Sequence, residues 1–435
     1  MTASAPRTSL LPVLGLLFGL AVTIGGTLGA GILRQPGPVA SYLRAPWLIM
    51  LMWLAGAIYA AVGAAHVSEL ATMIPRAGGF YVFARESMGD QVGFAVGWSD
   101  FLANATVAGY AAITAVEFAS RIVPGVARFG TLLAACAIVA FAATQWTGVR
   151  ISGRVQQIAA AAAAIALLGL VVACFTARAP AGMRPLPPPV TGFVAATVLA
   201  IQSIVVAYDG WYETIYFAEE ARHPTRELPR AMFGGLAMVA AIYLLLNAAY
   251  LYALGPAHLA ASKFAAADAA AAVFSSAGDA VVSAIAAVLM LSLLNTMLMG
   301  TTRIMFAVSR DGLFWRPAAL VARNGTPRTA LALTTVAIIG FVLSGAVDRL
   351  IAIAGFFFVA NYSWAYVSLI VLCRTRPAAP RPFWVRGYPA ITLLILGANL
   401  AFLAGAIASD RQNSLWALLL LAASFPLRYT LNACR

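Results

Sequence analysis

The chain is dominated by apolar segments that are long enough to cross a bilayer. Such a helix needs roughly 20 mostly apolar residues to cross a hydrocarbon core about 30 Å thick. Of 435 residues, 62% are hydrophobic and 10% are charged, which excludes an ordinary water-soluble or disordered chain. We expect an all-α integral membrane protein with a single polytopic domain over residues 1–435 and twelve spans. The predicted spans are 12–41, 46–71, 91–120, 129–146, 154–176, 193–220, 231–254, 279–308, 329–346, 349–373, 388–408 and 412–432.

The basic residues orient these spans. The formal net charge is +13, but the arginines are scattered through short loops, which indicates membrane orientation and not nucleic-acid binding. With both termini in the cytoplasm, 19 of the 28 basic residues fall on the inner side. The four cysteines lie far apart and form no cluster with histidine, so we expect no metal or other cofactor.

Two of the predicted spans are interrupted. Span 1 carries Gly25, Gly26, Gly29 and Gly31 within seven positions. Glycine costs about 1 kcal/mol relative to alanine inside a helix, so this cluster predicts local unwinding. Span 6 is interrupted by the Asp209–Gly210 pair, and a carboxylate at membrane depth costs at least about 2.5 kcal/mol.

The two interruptions lie five spans apart. Broken helices at corresponding places in two halves are typical of a transporter built from inverted repeats. For span 1 a second interpretation stays open, because Gly25 and Gly29 also form a GxxxG pattern for close helix packing.

The sequence resembles the amino acid–polyamine–organocation transporter superfamily, most closely its branch of L-type amino acid transporters and bacterial exchangers. The resemblance covers nearly the whole chain and depends on five motifs in order. They are IGGTLGAGIL (24–33), SELATMIPRAGGFYVFARESMG (68–89), AYDGWYETIYFAEEARHPTRELPRA (207–231), SRDGLF (309–314) and RPFWVRGYP (381–389).

This resemblance implies a leucine-transporter-like fold with broken helices 1 and 6. Repeat one would cover about 12–176 and repeat two about 193–373, followed by helices 11 and 12 over about 388–432. It implies a secondary transporter that moves amino acids across a bacterial cytoplasmic membrane by alternating access. A carrier of polyamines or other organic cations with the same fold is the alternative. A channel or an intramembrane enzyme would need polar rings or nucleophile and metal motifs, and the sequence contains neither.

The resemblance also implies where the substrate binds. Exposed amides at Gly29, Ala30 and Gly31 would bind the carboxylate, because a half-helix N-terminus carries a partial positive charge. Backbone carbonyls at the two breaks would bind the ammonium group. The predicted substrate-binding residues are Thr27, Gly29, Ala30, Gly31, Val206, Ala207, Tyr208 and Asp209.

Gating and coupling residues are predicted near the second break. Val206 stands where relatives often have an aromatic gate, and Tyr208 or Trp211 is expected to substitute for it. Glu213 either carries a proton or contacts the substrate, or it is a satisfied buried carboxyl. Many relatives carry a lysine in span 5, but that position is Ala163 here, so we expect exchange, facilitated diffusion or another protonatable group. Coupling to a proton and coupling to a counter-substrate both stay open.

Other polar residues have two interpretations each. His66 and Glu69 form either an interfacial pair or a proton relay, and Asn104 and Asn295 either join helices or line the site. The acidic pair at the end of span 6 is either a cytoplasmic gating network or a solvated face. Its residues are Glu219 and Glu220, with Arg222, Arg226 and Arg230.

Overall fold

The helices of the chain follow the predicted apolar segments. The computed structural model describes residues 8–29, 31–176, 192–345 and 347–433. The helices are α1 (Leu16–Thr27), α2 (Gly31–Arg34), α3 (Pro36–Leu43), α4 (Pro46–Met73), α5 (Phe80–Met88), α6 (Asp90–Ile122), α7 (Gly130–Thr147), α8 (Val149–Thr176), α9 (Phe193–Ala207), α10 (Pro224–Ala261), α11 (Ala265–Phe274), α12 (Gly278–Arg310), α13 (Arg328–Leu343), α14 (Val347–Thr375), α15 (Ala390–Ser409) and α16 (Arg411–Ala433). Between α9 and α10, a 3-10 helix covers Glu213–Glu220.

The prediction of a helical multi-pass membrane protein is confirmed. Within the described part of the chain, eight helical segments are long and apolar enough to cross a membrane. Three shorter apolar helices accompany them, over Leu16–Thr27, Ala195–Ala207 and Arg328–Leu343. Two of these three end at the predicted interruptions, which is why they are too short to span alone.

The outer surface also suits lipid. Large apolar side chains point away from the protein on α7, α8 and α15, with Leu132 61%, Val172 66% and Leu394 75% exposed. Exposing such a surface to water would be unfavourable, whereas lipid acyl chains are as apolar as leucine and can cover it.

Helix α1 contacts several other helices. It packs against α8, α10 and α12, and α6 packs along α12 on the other side of the core. Glycine allows some of these close approaches. A Cβ atom at Gly235 of α10, for example, would lie 2.6 Å from Cβ of Thr23 in α1.

The first interrupted span continues as a second helical piece. Gln35 N donates to Gly31 O at 2.8 Å and Val39 N donates to Gln35 O at 3.0 Å, so α2 and α3 follow each other with almost no break. At its other end, Leu14 pairs in parallel with Ala221. The start of α1 is thereby tied to the end of the 3-10 helix.

Candidate functional site

The interrupted helices meet at glycines. Gly210 has φ of 98°, a left-handed conformation that suits glycine, and a Cβ atom there would lie 2.6 Å from the carbonyl carbon of Gly26. A Cβ atom at Gly31 would lie 3.0 Å from Cα of Ala207. The glycines of span 1 therefore do more than pack a straight helix, because they let the ends of α1 and α2 touch the end of α9.

One tyrosine connects the two breaks. The hydroxyl of Tyr243 in α10 lies 2.8 Å from Thr27 O and 2.9 Å from Ala207 O, the last residues of α1 and α9. Both carbonyls belong to helix ends that lack an intrahelical partner. The sequence analysis missed Tyr243, because a single tyrosine in an apolar helix has no distinguishing local signal.

A cavity of about 310 Å³ opens between the breaks. Its backbone-rich side comes from α1, α2 and α9, and its apolar wall from α6, α12 and α14. The apolar wall includes Val107, Leu293, Met297, Phe358 and Val359. Such a mixture of a few polar groups with an apolar wall is typical of small-molecule sites.

Six of the predicted binding residues line this cavity. They are Thr27, Gly29, Gly31, Val206, Ala207 and Asp209. Ala30 lies outside the described residues.

Tyr208 and Trp211 do not line the cavity. Tyr208 is 1% exposed, and its ring packs 5.0 Å from that of Tyr243. The ring of Trp211 lies 5.3 Å from that of Tyr212. The turn after α9 directs both rings into the protein, and the aromatic rings that reach the cavity are Tyr110, Phe358 and Tyr362.

Asp209 lines the cavity and accepts two hydrogen bonds. The hydroxyl of Tyr362 donates to its Oδ1 atom, and the backbone N–H of Gly210 also donates to the carboxylate. Among the described residues that line the cavity, Asp209 is the only carboxylate.

Glu213 is also buried, but it lies outside the cavity. Neither of its carboxyl oxygens has a hydrogen-bond partner among the described residues. The interpretation of Glu213 as a satisfied buried carboxyl is therefore wrong.

Asparagine side chains join the helices around the site. Asn295 Nδ2 donates to Gln156 Oε1 at 2.8 Å, and Gln145 Nε2 donates to Asn295 Oδ1 at 3.1 Å. Ala163 is buried in α8. The polar residue that α8 directs at α1 is Gln156, whose Nε2 atom donates to Ala21 O at 3.3 Å.

At the end of the 3-10 helix, ion pairs form with partners that the sequence analysis did not predict. Glu220 binds Arg303 with distances of 2.9 and 3.0 Å, and Glu219 binds Arg310. The predicted partners Arg222, Arg226 and Arg230 are not part of these pairs. The cause is packing, since α12 lies against the 3-10 helix and the three arginines follow it along the chain.

His66 and Glu69 of α4 also bind different partners. His66 Nε2 lies 2.9 Å from Thr392 Oγ1, whereas Glu69 accepts a hydrogen bond from Val385 N at 2.7 Å. The two side chains hold α4 to different elements, so they form neither the interfacial pair nor the relay.

A further ion-pair cluster fastens α5 to α12. Asp311 Oδ1 binds Arg76 at 2.7 Å and Asp311 Oδ2 binds Arg85 at 2.9 Å. The hydroxyl of Tyr81 donates to the same carboxylate at 3.0 Å, and burial followed by the negative charge of Asp311 raises the pKa of Tyr81. Tyr81 therefore stays a neutral donor at any physiological pH.

Removing the hydroxyl of Tyr243 is expected to weaken transport about tenfold. Tyr243→Phe removes the single hydroxyl proton that the two helix-end carbonyls share, at a cost of about 1–3 kcal/mol. The matched control is Tyr208→Phe, because the Tyr208 hydroxyl has no hydrogen-bond partner among the described residues. Initial uptake rates in proteoliposomes measure both variants. Equal rates in the two would contradict the bridging role.

Comparisons with known proteins give matches along most of the chain. A family model described as amino acid permease matches residues 14–425. The serine/threonine exchanger SteT of Bacillus subtilis is 26% identical over 96% of each chain. The b(0,+)-type amino acid transporter 1 of Mus musculus is 26% identical over 89% of this chain and 82% of its own. The large neutral amino acids transporter small subunit 2 of Mus musculus is 28% identical, over 89% and 76% respectively.

Proposed function

We infer that this chain, which belongs to the amino acid permease family, carries neutral amino acids with large apolar side chains across the membrane. The family match covers nearly the whole chain and confirms the resemblance described above. The chain is thus a secondary amino acid transporter and not an enzyme. The finer points below are proposals.

The carboxylate and ammonium groups of the substrate bind at the helix breaks. Gly29 and Gly31 line the cavity at the beginning of α2, where backbone amides and the helix dipole favour a carboxylate. The ammonium group binds on the α9 side, near Val206 and Asp209. Thr27, Ala207 and Tyr208 support this site through backbone geometry, and Ala30 would contribute its amide.

The substrate class is inferred from the apolar wall of the cavity, opposite the helix breaks. Val107, Leu293, Met297, Phe358 and Val359 face the cavity from three different helices. Burying a Leu or Phe side chain there contributes about 1.5–3 kcal/mol. A polyamine would need a second anionic site, and Asp209 already accepts a hydrogen bond from Tyr362. The cation carrier is therefore the second choice.

The transport cycle follows alternating access. The cavity extends to Arg34 and Gln35, which the predicted topology places on the outer side. The Glu220–Arg303 and Glu219–Arg310 pairs close the other side. Opening inward would separate the 3-10 helix from α12. In this proposal the gate comes from Phe358 and Tyr362, not from Tyr208 or Trp211.

The architecture is proposed as twelve spans with both termini in the cytoplasm of a bacterial cell. α1 to α3 together would form span 1, and α9 with the 3-10 helix would form span 6. Residues 12–176 and 193–373 would form inverted repeats of a leucine-transporter-like fold, with residues 388–432 following them. This agrees with breaks that begin at Thr27 and Ala207.

Counterflow tests the substrate class. We expect proteoliposomes loaded with unlabelled leucine to take up labelled leucine, with phenylalanine and methionine competing better than lysine or putrescine. Asp209→Asn is expected to keep leucine exchange within about threefold, because an amide can still accept from Tyr362 and the lost hydrogen-bond strength is about 0.5–1.5 kcal/mol. Glu117→Gln, an exposed carboxyl on α6, is the control. Stronger competition by lysine or putrescine, lost in Asp209→Asn, would favour the cation carrier.

A further inference from the structure

A group of buried acids lies beside the broken helices, outside the amino acid cavity. Asp100 of α6 and Glu213 of the 3-10 helix are both fully buried in the described structure. Gly300 of α12 lies next to Glu213 and Tyr216. A Cβ atom there would lie 3.1 Å from Glu213 Oε2 and 3.1 Å from Cδ2 of Tyr216, the residue that binds Asp100.

Asp100 accepts hydrogen bonds on one oxygen only, and its Oδ2 atom has no partner among the described residues. Its Oδ1 atom accepts hydrogen bonds from the Tyr216 hydroxyl at 2.8 Å, Asn104 Nδ2 at 3.0 Å and Asn361 Nδ2 at 3.3 Å. Ser99 Oγ donates to Asn361 Oδ1, which fixes the Asn361 amide as a donor to Asp100. Several donors on one oxygen stabilise the charged form of a buried carboxyl.

Glu213 has no such donors on either oxygen in the described part of the chain. Both of its oxygens are buried and neither meets a hydrogen-bond donor within the described residues. Space for the side chain is created by glycine, since a Cβ atom at Gly26 would lie 2.6 Å from Glu213 Cγ. A buried carboxylate without a donor or a countercharge is strongly unfavourable. These surroundings favour the neutral, protonated form of Glu213 in this conformation.

Among the described residues, no cation forms an ion pair with Glu213. Within Leu16–Thr27, α1 has no ionisable side chain. Most buried ionisable groups of the other packed elements have partners of their own, and Arg226 and Arg230 at the start of α10 are exposed. Arg303 binds Glu220, Arg310 binds Glu219, Tyr243 binds Thr27 and Ala207, His66 binds Thr392, and Glu69 binds Val385. Tyr212 and Tyr216 are neutral phenols, and the described chain has no cluster of three or more His, Cys, Asp or Glu residues that could hold a metal ion.

We propose that Glu213, beside Asp100, is a proton-binding site that couples amino acid uptake to proton entry. This rests on the proposed function, because the coupling passes through the same broken helices. Glu213 N lies 3.3 Å from Gly210 O, and its side chain borders Gly26 of α1. Inward opening moves the 3-10 helix away from α1 and α12, water reaches the carboxyl, and the proton dissociates to the cytoplasm. Because the site prefers the proton in one conformation over the other, a proton gradient biases the cycle.

Proton flux measured with a pH dye inside proteoliposomes tests this proposal. At equal pH on both sides, adding leucine, phenylalanine, threonine or lysine separately should acidify the interior for each amino acid that is transported. An acidic exterior should drive leucine accumulation in empty vesicles.

Glu213→Gln should lose both effects, while its leucine–leucine exchange at equal pH persists. Asp100→Asn is the second variant, because it replaces the acid beside Glu213, and it should shift the acidic limb of the pH profile. Glu117→Gln should behave as the wild type.

The outcomes distinguish a failure of the proton site from a failure of the proposed function. Exchange without any proton movement in the wild type would overturn the proton site and leave amino acid transport standing. Accumulation driven by sodium instead of protons, or proton flux retained in Glu213→Gln, would also overturn it. No exchange of any tested amino acid by the wild type would instead contradict the proposed function.

Discussion

Replacing Gly31 by valine is expected to abolish substrate binding. A Cβ atom at this position would lie 3.0 Å from Cα and 3.3 Å from Cβ of Ala207, and the γ-methyl groups of valine would force α2 away from α9. The backbone amides that bind the carboxylate would shift with α2. A displacement of about 1 Å in a positioned contact costs on the order of 100-fold, so affinity should fall by at least that factor. Equilibrium binding of labelled leucine to purified protein measures it.

The matched control is Gly169→Val on the lipid-facing side of α8. A Cβ atom at Gly169 meets nothing within 4 Å, so binding should not change. Gly31→Ala, with its smaller side chain, should lose less affinity than Gly31→Val. Wild-type affinity in a folded Gly31→Val protein would contradict the placement of the carboxylate site at the start of α2.

Replacing Arg303 by methionine should cause the largest loss of stability. Arg303 and Glu220 are 2% and 0% exposed, and the pair is joined by two hydrogen bonds. Methionine preserves much of the volume but leaves a buried carboxylate alone, which costs about 3–5 kcal/mol. The apparent melting temperature in detergent, followed by size-exclusion chromatography, should fall by many degrees. Arg316→Met, an exposed arginine in the loop after α12, is the control.

A double substitution separates charge from packing. In Arg303→Met combined with Glu220→Gln, no buried charge is left unpaired, and much of the lost stability should return. If the double variant is no more stable than Arg303→Met, the loss comes from packing, and the ion pair is not what holds the 3-10 helix to α12.

Local chemistry in the sequence determined the fold class and the position of the breaks. Apolar runs about 20 residues long require a membrane whatever their neighbours are. Glycines in span 1 and the Asp209–Gly210 pair disfavour helix at their own positions, and α1 and α9 end there. Five motifs in order were sufficient to identify the family, which the match over residues 14–425 confirms.

Only the tertiary structure decided which side chains reach the cavity and which ions pair. Tyr208 and Trp211 are adjacent to the break in sequence, yet the turn after α9 buries them, while Phe358 and Tyr362 arrive from α14. Arg303, not the nearer Arg222, binds Glu220. Tyr243 and Asp100 gain their partners from helices far away along the chain. The physical reason is that the rotation of each helix about its axis is set by packing against several neighbours at once, whereas hydrophobicity and backbone propensity act residue by residue.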